Sequence, residues 1–374
     1  MILNGCKNIL IIRPDNMGDL IMTSPAIRSI KEALDCRITV LTSSMASEVC
    51  PLIPEIDEVI TATLPWVKAE GVIDNLSFRT LVNHLSSLKF DAAFVFTVYS
   101  QSALPSAMMA WMAGIPHRIA QCRENPYNLL TLWVPDYEPF ETIKHQVERD
   151  LHLVESTGIK ISENSIKLTI PEAAIRHLEK KLIDLFKTNP AVKEQGFSGI
   201  PEYIVLHPGV SEPKRAYPSD KWIQLARDVI HNTNCNVIFS GSMNDKKLTD
   251  FLEKETGNGS ISAAGIFSVT ELAALISKSK LLISVNTGPV HIAAGLKKPV
   301  VVLYAQTNPQ HKPWNTESRV FEFTVPESMQ SKNGIIRFVN RELYNSPVDF
   351  PQPSEIAYAV HSLLNQTANH SASQ

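Results

Sequence analysis

What this chain has little of excludes several classes of protein. Its five cysteines are scattered and form no CxxC pair, so neither a disulfide framework nor a zinc site is indicated. No apolar run approaches the ~18 residues of a membrane-spanning helix, and the N-terminus carries no basic, cleavable leader. Lys and Arg number 35 against 38 Asp and Glu, and a net charge of −3 creates no field that attracts nucleic acid. We expect a cytoplasmic protein that begins near Met1 and binds no nucleic acid.

Two nucleotide-binding signatures are also missing. The chain contains neither GxGxxG after a strand nor GxxxxGK[ST], so a dinucleotide dehydrogenase and a P-loop NTPase lose their main support. What is present is typical of a globular protein, with 44% hydrophobic and 20% charged residues. At roughly 150 residues per domain, the length predicts two or three domains.

Short β-branched runs alternate along the chain with stretches of helical period. This pattern is typical of βα units around parallel sheets, so the predicted fold class is α/β. The predicted strands are Asn8–Arg13, Arg37–Thr42, Phe90–Thr97, Tyr203–His207, Asn236–Ser240, Leu281–Val285 and Pro299–Tyr304. The predicted helices are Thr23–Leu34, Arg176–Lys187, Ser219–His231 and Ser268–Lys278.

A polar segment in the middle of the chain separates two such runs. It includes a connector at Lys193–Pro201 that Gly and Pro interrupt. We predict one Rossmann-like domain over residues 1–180, a second over 181–355, and a C-terminal helix with a frayed tail over 356–374. Open α/β sheets bind ligands at the carboxyl ends of their strands, so the loops there are the candidate sites.

The first candidate loop, Arg13–Leu20, follows the first strand. Gly18 permits a positive φ, and Asp19 beside it can serve as a general base toward a substrate hydroxyl. The helix start is predicted at Thr23, Ser24 and Pro25. In the alternative interpretation, Asp19 or Asp15 only caps main-chain amides of a turn.

The second candidate loop, His207–Pro218, opens the second sheet. Gly209 and Ser211 offer donors at close approach, and Lys214 or Arg215 can neutralise charge on a leaving group, so the loop suits a diphosphate. Alternatively the cations are solvated and the prolines only shape the loop.

The third candidate loop, Ser284–His291, leaves a strand and enters a helix with Pro289 in its first turn. Amides at Thr287 and Gly288 would form an anion site at that helix terminus. His291 either meets a phosphate or packs in the interior.

Two further turns complete the candidate set. Gly241 and Ser242 can meet a ribose, or form a bare turn. The backbone around Phe267 can hold an adenine edge, before a helix that Ser268 and Glu271 cap in a capping box.

Three blocks carry a resemblance to a known family. IRPDNMGDLIMTSPAIRSI, HPG…KRAYPSDKW and NTGPVHIAAGLKKPVVVLYAQTNPQHKPW resemble the ADP-heptose:lipopolysaccharide heptosyltransferases, glycosyltransferase family 9. AGIPHRIA and HQVERDLHLV, which start at residues 113 and 145, are also similar to family segments. The match runs in order over about residues 8–314.

The resemblance implies a GT-B fold, with two Rossmann-like domains that face a central cleft. The first would bind the acceptor and the second the nucleotide sugar, and transfer would be inverting, with no metal and no cofactor. The expected donor is ADP-heptose, and the expected acceptor is a glycan such as the lipopolysaccharide inner core, with peripheral contact at the cytoplasmic face of the inner membrane.

The resemblance also assigns roles to residues. Asp19 would be the base, and Arg215 would stabilise the departing diphosphate, with Lys214 in reserve. On the acceptor side, the residues themselves suggest Asn16 and Gly18 in the loop of Asp19, and also Arg118 and His145, which either meet anionic groups of the acceptor or are scattered surface cations. The donor-side residues implied are Gly209, Ser211, Gly241, Ser242, Phe267, Asn286, Thr287, Gly288, Pro289 and His291.

Two departures from the family pattern leave the donor open. Asn286 stands where the family mostly has Asp, and Tyr304–Thr307 reads Tyr-Ala-Gln-Thr where the family has Phe-Gly-Pro-Thr. One alternative is a GT-B transferase or epimerase for another nucleotide sugar. A second alternative, from another class, is a non-catalytic protein that binds nucleotide sugars.

Overall fold

The computed structural model describes residues 2–67, 74–188 and 199–372, without the side chains from residue 367 onward. The chain forms two compact units. The first consists of Met1–Thr169 together with Pro309–His311, and the second of Ile170–Asn308 together with Lys312–Gln374. In the part of the chain described, no helix combines the length and apolar character needed to cross a membrane.

The first unit contains a six-stranded sheet in which all neighbouring strands are parallel, in the order β3-β2-β1-β4-β5-β6. Its strands are β1 (Asn8–Arg13), β2 (Arg37–Thr42), β3 (Glu58–Thr61), β4 (Ala92–Val95), β5 (His117–Cys122) and β6 (Leu132–Pro135). Its helices are α1 (Met17–Leu34), α2 (Ser44–Ser47), α3 (Asn75–Ser87), α4 (Leu104–Met112) and α5 (Gln146–Glu155).

Helix α1 begins six residues before the predicted start at Thr23, so that prediction is wrong. Asn16 is its N-cap residue, and the Asn16 amide donates to Asp19 Oδ2 at 3.2 Å. Gly18 is therefore a helical residue and not a turn residue with positive φ. Pro25 lies inside the helix and offers no N–H to the Ile21 carbonyl, which accepts instead from the Ser24 hydroxyl at 2.7 Å.

The second unit repeats this arrangement with a parallel six-stranded sheet in the order β12-β11-β10-β7-β8-β9. Its strands are β7 (Tyr203–His207), β8 (Asn236–Phe239), β9 (Ser260–Ser262), β10 (Leu282–Val285), β11 (Val300–Ala305) and β12 (Ser318–Phe323). Its helices are α6 (Glu172–Thr188), α7 (Ser219–Thr233), α8 (Lys246–Thr256), α9 (Val269–Lys278), α10 (Gly288–Gly295), α11 (Gly334–Leu343) and α12 (Pro353–Ala372).

The ends of the second unit differ in part from the sequence expectations. The predicted boundary at residue 180 falls inside α6, which belongs wholly to the second unit. Most of the predicted connector, residues 193–198, lies outside the described residues. Helix α12 continues to Ala372 where a frayed tail is predicted from Gln366, because no Pro or Gly interrupts this segment.

Both sheets share one topological feature that places the candidate loops. In each sheet the first strand lies beside the fourth, so the strand order reverses between β1 and β4 and between β7 and β10. Loops that leave the carboxyl ends of strands at such a point form the usual ligand sites of open α/β sheets. The candidate loops after β1, β7 and β10 therefore lie where the fold favours binding.

Candidate functional site

Asp19 lies in the first turn of α1, next to the end of β1. The guanidinium of Arg13, the last residue of β1, is fully buried and reaches Asp19 and Asp15. Its Nη2 is 3.4 Å from Asp19 Oδ1, and its Nη1 is 3.4 Å from Asp15 Oδ2. A fixed positive charge therefore stands behind the predicted base.

A third carboxylate, Asp150 on α5, completes this charge cluster. Thr23 donates to Asp150 Oδ2 at 2.7 Å, and Gln146 donates to its Oδ1 at 2.7 Å. Burial raises the pKa of Asp150 against the opposing charge of Arg13. Burial likewise raises the pKa of Asp15 to about 6, opposed by Arg13 and reinforced by the charge of Asp19. The Arg13 guanidinium is thus the positive charge opposite three carboxylates, those of Asp15, Asp19 and Asp150.

Sequence reasoning missed Arg13 and Asp150 as site residues. A signal for Arg13 exists, since a charged residue ends the otherwise apolar strand NILIIR and a buried charge requires partners. Asp150 gives no such signal, because it lies among the charged residues of an amphipathic helix.

Two predicted acceptor-side residues occupy different places. Arg118 lies near the amino end of β5, at the sheet edge opposite Asp19, and its guanidinium donates to the carbonyls of residues 115, 116, 128 and 129. His145 is the N-cap of α5, where its Nδ1 accepts from the Val147 amide at 3.2 Å. His145 directly precedes Gln146, whose side chain donates to Asp150, whereas Arg118 lies at the opposite edge of the sheet from Asp19.

A second buried guanidinium, Arg149, fixes the start of α5. It contacts Asp136 at 2.8 Å and Glu138 at 2.7 Å, and its Nε donates to the Thr97 carbonyl at 2.9 Å. Arg149 therefore forms part of the interior.

A short segment from a distant part of the sequence also reaches Asp19. Pro309–His311, the 3₁₀ turn between β11 and β12, belongs to the first unit. His311 Nε2 lies 3.5 Å from Asp19 Oδ1. The sequence places His311 inside the NPQHKPW motif, but nothing in the motif indicates the residue that it contacts.

In the second unit, Arg215 links two candidate loops. It ends the 3₁₀ turn Pro213–Arg215, and its Nη1 donates to the Asn286 carbonyl at 3.1 Å. Its Nη2 lies 3.1 Å from Glu212, and Lys214 Nζ lies 3.3 Å from the same carboxylate. Arg215 thus reaches the loop after β10, whereas the ion pair of Lys214 stays within its own loop.

The Asn286 side chain holds the loop after β10 against the end of β11. Its Nδ2 donates to the Ala305 carbonyl and to Thr307 Oγ1, both at 3.2 Å, and its Oδ1 accepts from the Ala305 amide at 3.2 Å. The Asn286 side chain therefore both donates to and accepts from the main chain of Ala305. An ionised carboxylate could accept but not donate, because it has no donor.

Two predicted donor-side glycines, Gly209 and Gly241, lie against the side chain of Asp245. A Cβ at Gly209 would lie 2.6 Å from Asp245 Oδ2, and a Cβ at Gly241 would lie 2.7 Å from Asp245 Cβ. Asp245 Oδ2 also accepts from the amide and the hydroxyl of Ser242, each at 2.7 Å. A side chain at either glycine would therefore have to displace Asp245 from its hydrogen bonds with Ser242. Ser211 is exposed.

The remaining predicted residues lie around α10 and before α9. Thr287 is the N-cap of α10 and Pro289 lies in its first turn, as predicted, while His291 is 5% exposed. Phe267 precedes Ser268, and the predicted capping box of Ser268 with Glu271 is confirmed.

A buried histidine, His207, lies at the carboxyl end of β7. Burial lowers the pKa of His207, the last residue of β7, to about 4, and its Nδ1 lies 3.0 Å from Ser240 Oγ. At neutral pH this imidazole is uncharged.

No metal centre is visible in residues 2–67, 74–188 or 199–372. Within these ranges, no group of three or more His, Cys, Asp or Glu side chains could hold a metal ion.

Comparison with known proteins gives a consistent result. The sequence model of glycosyltransferase family 9 (heptosyltransferase) matches residues 78–334. The lipopolysaccharide heptosyltransferase 2 of Salmonella typhimurium is 24% identical over 368 residues, which cover 96% of this chain and 99% of that protein.

Solved structures agree with the sequence match. A glycosyltransferase of family 9 from Veillonella parvula has a TM-score of 0.76 at 19% identity and covers 98% of this chain and 99% of its own. The E. coli heptosyltransferase WaaC with ADP-2-deoxy-2-fluoro heptose has a TM-score of 0.62 at 16% identity, over 90% of this chain and 99% of its own.

Proposed function

Since the chain belongs to glycosyltransferase family 9 and has the GT-B fold of its solved relatives, we propose that it transfers a heptose from ADP-heptose to a hydroxyl of the lipopolysaccharide inner core. The observation that carries this proposal is the family match over residues 78–334, which includes the loops after β7 and β10. One solved relative, WaaC, holds an ADP-heptose analogue, and this supports the choice of donor.

The second unit would bind the donor at the carboxyl ends of β7 and β10. Arg215 presents a guanidinium beside the start of α10, where helix amides and the helix dipole favour negative charge. Gly209 and Gly241 leave room for the Asp245 side chain, which accepts hydrogen bonds from Ser242 in the turn after β8. The proposed donor-binding residues are Gly209, Ser211, Gly241, Ser242, Phe267, Asn286, Thr287, Gly288, Pro289 and His291.

The first unit would supply the base. Asp19 accepts a hydrogen bond from the Asn16 amide at a helix N-terminus and faces Arg13, and both features favour its ionised form. As the bond from the anomeric carbon to the ADP oxygen breaks, the acceptor oxygen bonds to that carbon from the opposite face, and its proton passes to Asp19. The anomeric configuration inverts, and the charge that leaves on the diphosphate is stabilised by Arg215.

The acceptor side of the proposal lies in the first unit. Asn16, Gly18 and His145 are the proposed acceptor-side residues near Asp19, while Arg118 stays a prediction whose guanidinium binds main-chain carbonyls. A lipopolysaccharide core acceptor is anchored in a membrane, so we propose peripheral contact with the cytoplasmic face of the inner membrane.

Calorimetric titration tests the donor. We expect ADP and ADP-heptose to bind in EDTA, and UDP, GDP and dTDP to bind at least tenfold more weakly, since a good nucleotide contact is worth more than about 1.4 kcal/mol. Added Mg²⁺ should change neither affinity. Preference for another nucleotide would overturn the donor, and no nucleotide binding would favour the non-catalytic alternative.

A transfer assay tests the leaving-group role of Arg215. With lipopolysaccharide that lacks heptose as acceptor, Arg215→Ala should lower kcat by on the order of 10²-fold, as loss of a charge-stabilising donor does. Lys214→Ala is the matched control, because it removes the neighbouring cation, and it should cost less than about tenfold. The reverse order would assign the role to Lys214.

A further inference from the structure

His311 is set beside Asp19 by the residue before it. Gln310 is fully buried, and its side chain donates to Glu138 Oε1 at 3.2 Å and to the Lys144 carbonyl at 3.1 Å. Its Oε1 accepts from the Tyr99 amide at 3.4 Å. With three anchors on this side chain, the backbone at residue 311 is fixed within the first unit.

The two carboxylate oxygens of Asp19 have different surroundings. Oδ2 accepts from the Asn16 amide within α1. Oδ1 faces Arg13 Nη2 at 3.4 Å on the buried side and His311 Nε2 at 3.5 Å on the other. The Asp19 side chain is 7% exposed and that of His311 is 21% exposed, so the imidazole borders the accessible side of the carboxylate.

We propose that His311 is a positioning residue for Asp19. As a neutral ring it presents Nε2–H to Oδ1 and orients the carboxylate for the acceptor proton. As an imidazolium it adds a second positive charge beside Arg13, which stabilises the carboxylate and weakens it as a base. The inference rests on the proposed function, in which Asp19 removes that proton.

A pH dependence follows from this pairing. Protonation of His311 should lower kcat/KM on the acid side, in the range where imidazoles titrate. The other charged groups near the pair are Arg13, with Asp15 and Asp150 around it, and Glu138, with its partner Arg149, beside Gln310. Of these, Asp15 titrates in a similar range, since its pKa is about 6, and must be separated by experiment.

Two isosteres of histidine give the sharpest test. The amide nitrogen of glutamine reaches the position of Nε2, whereas that of asparagine reaches only the position of Nδ1. We expect His311→Gln to keep kcat within about threefold of wild type and to lose the acid limb, while His311→Asn and His311→Ala lose about tenfold, as a mispositioned base does. Asp15→Asn should keep the limb.

Controls separate positioning from stability. His361→Gln changes an exposed histidine on α12 and should leave both kcat and the pH profile unchanged. Gln310→Leu removes the anchors and should reproduce the loss seen in His311→Ala. Thermal unfolding of each variant identifies any that fail to fold, and the isostere pair still decides if Gln310→Leu does not fold.

Each outcome bears on the proposal. Equal kcat and an unchanged acid limb in His311→Gln and His311→Asn would overturn it. A loss in His311→Gln as large as that in Asp19→Asn would also overturn it, because His311 would then take the proton itself. If wild type releases no ADP, the proposed function fails, and NMR titration of the His311 ring decides the pairing. Its midpoint should move to lower pH in Asp19→Asn, and an unmoved midpoint would refute the contact.

Discussion

Asn286 shows how one side-chain amide can fix the geometry of a binding loop. From the sequence, Asn286 is expected on the donor side of the site. In the structure its side chain pairs with both the amide and the carbonyl of Ala305, and Arg215 binds its main-chain carbonyl. The Asn therefore holds the loop on which the proposed leaving-group cation rests.

Asn286→Asp tests this reading directly. The carboxylate loses the donor to the Ala305 carbonyl and places a negative charge against it, so we expect a loss of about 1–3 kcal/mol in the free energy of unfolding. Urea denaturation measures this change. Asn83→Asp, on the exposed face of α3, is the matched control and should change stability by less than about 0.5 kcal/mol. Equal effects would show that the pairing with Ala305 adds no stability.

His207 gives the protein a predictable response to acid. Its pKa is about 4 in the folded protein, because burial disfavours the charged ring, against an unfolded value of 6.5. The stability contributed by the neutral ring is present above pH 6.5 and is lost as the pH falls through about 4. At 1.36 kcal/mol per pKa unit, the loss between pH 7 and pH 4 is about 3 kcal/mol.

His207→Asn should remove this part of the acid sensitivity. We expect its free energy of unfolding to fall by about 3 kcal/mol less than that of wild type between pH 7 and pH 4. His231→Asn, at an exposed position of α7, keeps the wild-type slope. Asp15 acts in the opposite direction, since its raised pKa lowers stability as the pH rises through about 6, and this effect cancels between wild type and variant. Parallel curves for wild type and His207→Asn would contradict the prediction.

At the scale of elements, buried strands are the part of the fold that sequence alone predicts best. The bounds of β1, β2 and β7 are those predicted, because continuous β-branched runs have few other buried arrangements. The predicted start of α1 is wrong, because Ser24-Pro25 has the sequence of an N-cap followed by a first helical residue. Local pattern cannot show that a hydroxyl in the preceding turn replaces the missing N–H.

The candidate site likewise has parts that the sequence predicts and parts that it does not. The loops after β1, β7 and β10 are predicted because each follows a strand directly in the sequence. The tertiary neighbours of this loop and of α1 are not predicted, since Asp150, which contacts Thr23, and His311, which contacts Asp19, are both distant in the sequence. Distance in sequence therefore limits what the sequence predicts about these tertiary contacts.

Helix α1 offers a test of the replaced hydrogen bond. Ser24→Ala leaves the Ile21 carbonyl without its donor, since Pro25 has no N–H, and should cost about 1–3 kcal/mol in the free energy of unfolding. Ser29→Ala is a close control, because the Ser29 hydroxyl also binds a buried carbonyl, that of Pro25, at 2.9 Å. The helix still supplies a main-chain donor to Pro25 O, so this loss should be smaller by urea denaturation. A larger loss in Ser29→Ala would contradict the argument.

At the scale of the whole molecule, five buried thiols divide between the two units. Cys6, Cys36, Cys50 and Cys122 lie in the first unit and Cys235 in the second. Burial raises the pKa of Cys36 to about 11 and that of Cys50 to about 12. Such thiols carry almost no thiolate at neutral pH, so they react only when their unit unfolds.

Thiol labelling therefore reports on each unit separately. We expect ADP at about 100 times its Kd to slow the labelling of Cys235 by about a hundredfold in mild urea, through the stabilisation of roughly 2.7 kcal/mol that binding supplies. The thiols of the first unit should be slowed less, and GDP should protect neither. Peptide mass spectrometry after alkylation measures each site. Equal protection of all five would mean that both units unfold in one step.

The turn at Pro309–His311 constrains the design of chimeras in which one unit is exchanged between relatives. A fragment that stops at Thr169 has all six strands of the first sheet, yet it lacks the glutamine held by Glu138 and Lys144 and the histidine that faces Asp19. A chimera that imports a foreign amino-terminal half at a single junction would combine that half with a turn shaped for another host. Residues 309–311 must therefore be transplanted with residues 1–169, as a second, three-residue graft inside the carboxyl-terminal half.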